Sequence, residues 1–140
     1  MSLSSAFLWP LAAAFALSGC GVLSAPFSTL HCGAGGQCKV QVMVDANCRV
    51  SADPERLDVP TGGEMHIHWK VDPPYVFDLN GIAFKPGRNR GQFDQKELQD
   101  GGRQFHWRDK NTLAGEYPYD INVRDPGGRL CHADPFIRNQ

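Results

Sequence analysis

From residue 39 onward the chain alternates apolar and polar residues with a period of two. Val40, Val42 and Val44 alternate with Lys39, Gln41 and Met43. Met65, Ile67, Trp69 and Val71 alternate with Glu64, His66, His68 and Lys70. Phe105 and Trp107 alternate with Gln104, His106 and Arg108, and Tyr117, Tyr119, Ile121 and Val123 with Pro118, Asp120, Asn122 and Arg124. Successive side chains of a strand point to opposite faces, so each stretch predicts a half-buried strand. Turn signals separate them: Asp53-Pro54, Thr61-Gly62-Gly63, Asp72-Pro73-Pro74, Asn80-Gly81, Gly101-Gly102, Ala114-Gly115 and Pro126-Gly127-Gly128. Residues 93–99 read differently: Asp94 with Glu97 three places on has the form of a helix cap and predicts a helical turn. Pro118 cannot donate to a ladder, so its strand is predicted at an edge or with its amide position facing outward. Seven or more short strands between turns predict an all-β fold, a Greek-key β-sandwich.

Residues 6–17 form a different pattern, an uninterrupted apolar run too short to span a bilayer. Leu17-Ser18-Gly19-Cys20 follows. This resembles the lipobox of bacterial lipoproteins, in which small residues precede a cysteine that carries the lipid. The resemblance implies a signal peptide over residues 1–19, with Cys20 as the lipidated N-terminus of the mature chain. Gly21 stands where an Asp would favour the inner membrane, so the outer membrane is the expected address. Residues 20–37, rich in Gly, Ser and Ala, read as a tether, and 38–140 as the sandwich domain.

Five cysteines leave one over in an oxidising compartment. Assigning Cys20 to lipid leaves Cys32, Cys38, Cys48 and Cys131, which predict two disulfides. Three pairings are open. Gly33, Gly35 and Gly36 let a short Cys32–Cys38 loop close, which favours that pair and leaves Cys48–Cys131. The spacings do not match a zinc site, whose ligands come in pairs two to four residues apart.

Leu57-Asp58-Val59-Pro60-Thr61-Gly62-Gly63 followed by the strand to Trp69, and Asn111-Thr112-Leu113-Ala114-Gly115-Glu116-Tyr117-Pro118-Tyr119, resemble two stretches of the cupredoxin fold. The likeness covers roughly residues 55–138 and implies that architecture. The copper ligands do not carry over. Ile121 stands where the copper cysteine would be, Tyr75 where the first histidine would be, and no Met lies beyond residue 65.

Charge narrows the functional classes. There are 14 Lys+Arg against 15 Asp+Glu, and none of these lies in the first 38 residues. That balance gives no basic face for nucleic acid and no polybasic lipid-binding run. No Gly-x-Ser-x-Gly turn and no His-Glu-x-x-His pair is present, so no enzyme is expected. Tyr75, directly after two prolines, and Arg88 and Arg90 in the polar stretch 85–92 are the candidate partner contacts. The expectation is a non-catalytic envelope lipoprotein without a cofactor, binding a protein or cell-wall partner through loops. The alternative is copper or zinc handling by His66 and His68, two imidazoles on one face of one strand. His106 reads as a solvated outward residue.

Overall fold

The computed structural model describes residues 29–32 and 36–140. Cys20, the signal segment and most of the tether lie outside the described residues. The strands are β1 (Thr29–His31), β2 (Gln37–Val44), β3 (Val50–Asp53), β4 (Arg56–Val59), β5 (Met65–Val71) and β6 (Val76–Phe84). They continue with β7 (Phe93–Gln99), β8 (Gln104–Asp109), β9 (Gly115–Arg124), β10 (Leu130–Ala133) and β11 (Phe136–Asn139). Two mixed sheets form, as the alternation requires. One has the order β1-β4-β11-β9-β10, with β6 also paired to β9; the other has the order β3-β2-β5-β8-β7. The chain is an all-β sandwich.

The inward residues of the alternating stretches meet between the sheets. Trp69, Phe105, Tyr117, Tyr119, Ile67, Ile121 and Ile137 are all fully buried. Their polar atoms are satisfied there: the Trp69 indole donates to the Tyr119 hydroxyl at 3.1 Å, and the Tyr117 hydroxyl donates to the Leu113 carbonyl at 2.7 Å. The second bond, back to a carbonyl four residues upstream, pins the chain where it enters β9, as in a tyrosine corner.

Both disulfides form as favoured by the glycine loop, with Cα separations of 5.5 Å for Cys32–Cys38 and 5.1 Å for Cys48–Cys131. Each crosses the sandwich. Cys32 follows β1 in one sheet and Cys38 lies in β2 of the other; Cys48 precedes β3 and Cys131 lies in β10. The Cys48–Cys131 bridge spans 83 residues of chain. Closing a loop of that length removes unfolded-state entropy worth roughly 4–5 kcal/mol.

Three readings need correction. Residues 93–99 are strand, not helical turn. Phe93 stacks on Phe84 at 3.8 Å between ring centres, and the Asp94 carboxylate is held by Arg108 from β8 rather than by a helix start. The single helical turn among the described residues is a 3-10 turn that follows at Asp100–Gly102. Asn80-Gly81 is not a turn between strands but a bulge within β6, where the register to β9 shifts between Phe77 and Ile82. There Gly81 is required by space, since a Cβ would meet that of Phe77 at 2.6 Å. Thr29–His31, assigned to the tether by composition, pairs in parallel with β4, so the folded part reaches back to residue 29. Pro118, by contrast, meets the second of its two predicted placements: it sits in a central strand, but its amide position points just past the end of β6, where Lys85 donates to its carbonyl and no partner strand needs the missing N–H.

Candidate functional site

The outer face of the five-stranded sheet carries three imidazoles. β5 presents His66 and His68 between the buried Met65, Ile67 and Trp69. β8 lies antiparallel beside it, pairing His68 with His106 and His66 with Arg108. The expectation of a solvated His106 is overturned: it is only 8% exposed, covered by its neighbours on that face. His66 Nδ1 and His106 Nε2 lie 2.9 Å apart. Their ring centres are 5.1 Å apart and their planes differ by 11°. That separation is near the largest a 2.9 Å nitrogen contact allows, so the two nitrogens face one another almost in line. His68 packs against His106 with ring centres 4.7 Å apart and planes inclined by 29°. The three rings do not bring three nitrogens to a single point.

Glu64 Oε1 lies 3.8 Å from His66 Nε2, on the far side of that ring, and Arg108 holds the same carboxylate at 3.2 Å. The Gln95 backbone, at the bulge where β7 slips register against β8 between Asp94 and Glu97, favours a proton on His106. The two facing rings share one hydrogen bond, one nitrogen donating and the other accepting. Burial lowers the pKa of both His106 and His68, and the neighbouring imidazoles lower them further. His68 and His106 are therefore neutral at pH 7, the form in which imidazole ligates metals.

A second cluster surrounds Lys85. Its ammonium donates to Asp120 and, at 2.6 Å, to Asp134, while His132 Nε2 lies 2.9 Å from Asp120. Burial would raise the Asp120 pKa, but the Lys85 and His132 bonds outweigh it and bring it down to about 2. Among the described residues, Asp120, His132 and Asp134 are the group of side chains whose ligand atoms converge as a metal site would need. The Lys85 ammonium already supplies a cation to its two carboxylates.

The loop after Lys85 is held at both ends. Asn89 exchanges two bonds with the Phe93 backbone, at 3.0 and 3.3 Å. The Gln92 carbonyl oxygen accepts from the Thr112 and Leu113 backbone at 2.8 and 3.0 Å. Arg88 and Arg90 are exposed on this loop, and neither makes an ion pair with a described residue. Tyr75 stands before β6 and the loop follows β6, so the strand's nine residues separate Tyr75 from Arg88 and Arg90. Tyr75 lies partly buried against the core. The three candidate contacts therefore occupy opposite ends of the sandwich.

No protein-family model matches this chain, and no curated protein is similar to it.

Proposed function

We propose that this chain is a non-catalytic envelope lipoprotein, held on the membrane through Cys20, that reads an acidic protein or cell-wall partner with the loop around Arg88 and Arg90. The observation that carries this reading is a pair of exposed guanidinium groups, without ion pairs among the described residues, on a loop fixed at both ends. A loop ordered before binding loses little entropy when a partner docks, and guanidinium forks match carboxylate and phosphate groups. The direction of β1 supports the orientation. β1 runs parallel to β4, toward the end that carries the loop, so its N-terminal side is turned the other way. Cys20 lies nine residues before Thr29, a reach of at most about 30 Å. The loop then faces away from the bilayer. A cupredoxin-like sandwich without copper ligands fits a binding role rather than electron transfer.

Two experiments test this. Labelling of growing cells with a palmitate analogue should mark the wild type and not a Cys20→Ala variant; an unlabelled wild type would remove the anchor. Cross-linking in intact envelopes should join the wild type to a partner that an Arg88→Ala/Arg90→Ala double variant fails to capture. Equal capture by both would rule out the loop.

A further inference from the structure

We infer that His66 Nδ1 and His106 Nε2 are the protein donors of a site for one divalent transition-metal ion, Zn2+ or Cu2+, on the outer face of the five-stranded sheet. The inference is independent of the lipid anchor and of the Arg88/Arg90 loop. It also moves the second donor from His68, the neighbour along the strand, to His106, the neighbour across the ladder.

Three observations carry it. First, two imidazole nitrogens from adjacent strands face each other at 2.9 Å, and one of the two residues is only 8% exposed. Two bonds of about 2.0–2.1 Å at a tetrahedral angle need the nitrogens about 3.4 Å apart. The pair must therefore open by about half an ångström, and His66, whose side chain is 35% exposed, has room to swing. Second, the far nitrogen of His66 lies 3.8 Å from the Glu64 carboxylate, the kind of group that orients metal-bound histidines. Arg108 fixes that carboxylate. Third, imidazole donors suit Zn2+ and Cu2+, while the hard cations prefer oxygen. His68 lies against the face of His106, so its nitrogens are off the line between the donors. The remaining coordination positions fall to water or an incoming ligand.

On binding, the hydrogen bond between the rings is replaced by two metal–nitrogen bonds. The shared proton leaves, and solvent returns one to the far nitrogen of the ring that gave it up, so the pair releases no net proton. The Asp120–His132–Asp134 group is not chosen, because the Lys85 ammonium already bridges two of its members.

The test uses the full chain without an affinity tag, in detergent, titrated calorimetrically with Zn2+ and with Cu2+. One ion should bind per chain. His66→Ala and His106→Ala should each weaken binding by about 100-fold or more, Glu64→Gln by about 10-fold, and His132→Ala not at all. Circular dichroism checks folding; His66→Gln, at the half-exposed position, stands in should His106→Ala unfold. Nitrogen-15 NMR with Zn2+ should show the proton between His66 Nδ1 and His106 Nε2 lost and the far nitrogen of each ring protonated. Binding that survives loss of His66, binding that disappears in His132→Ala, or affinity weaker than about 1 mM would each overturn the site.

Discussion

Two aspartates in this sandwich are equally hidden and oppositely treated. Asp58 of β4 is 1% exposed and Asp109, at the end of β8, is 0% exposed. Burial pushes the Asp58 carboxyl up, but Arg138, at 2.8 and 3.1 Å, and Arg56 outweigh it and hold the pKa below the usual range. Asp109 has no such cation. Its Oδ1 accepts from the Asn111 backbone at 2.8 Å and the Asn139 amide at 3.2 Å, and its Oδ2 has no hydrogen-bond partner. Burial therefore dominates and raises its pKa to about 6. Depth of burial and the charge of the donors that face it together set the charge of a carboxyl: Asp109 is the more deeply enclosed and lacks a cation among the described residues, while Asp58 has two.

The comparison can be broken experimentally, and the largest effect is expected at Asp109. Its pKa is raised in the folded chain, so the folded chain keeps this proton after the unfolded chain has lost it. Stability then falls as pH rises from about 4 through about 6, and is level above. The displacement from 3.8 to about 6 corresponds to about 3 kcal/mol. Asp109→Asn carries no such charge and should gain on the wild type by 2–3 kcal/mol (about) at pH 8 and by almost nothing at pH 4. Urea unfolding at both values checks this; an equal gain at both would refute the assignment.

Asp58→Asn should behave in the opposite sense. Its lowered pKa contributes stability above about 4 that is lost as pH falls through the folded-state value. The variant should lose about 2 kcal/mol at pH 7, with the deficit closing in acid, because bonds to a charged acceptor are worth about 1.5–3 kcal/mol. A deficit of constant size from pH 7 down to acid unfolding would mean that shape rather than charge is at stake. The smallest effect belongs to Asn139→Ala. It removes one donor from Asp109 and a tie between the sheets, at about 1 kcal/mol, and should move the acid-side midpoint upward. An unchanged midpoint would show that Asn139 does not sense the proton.

Much of this arrangement was legible in the residues. Period-two alternation located β2, β5, β8 and β9, and the glycines after Cys32 favoured the observed pairing of the four cysteines. The same alternation puts Asp109 inward with Phe105 and Trp107. What escaped was pairing between distant segments. His66 and His106 are 40 residues apart, and only the β5–β8 register makes them neighbours. Their shared outward phase was visible, but not that their strands adjoin. β7 escaped because its bulge interrupts the alternation, and Asp94 had the form of a cap while serving Arg108. The Arg88/Arg90 loop was read from composition, but its rigidity depends on Gln92 reaching Thr112 and Leu113 twenty residues away.

The Cys48–Cys131 bridge has a consequence for a domain displayed to proteases. Residues 85–92 lie inside the covalent ring that it closes. Exposed loop tips are where nicking concentrates. A single cut there would open the chain without parting it, since each fragment stays bonded to the other through the sulfurs. Damage in that loop would thus leave both pieces in one molecule, and parting them would take reduction of the bridge.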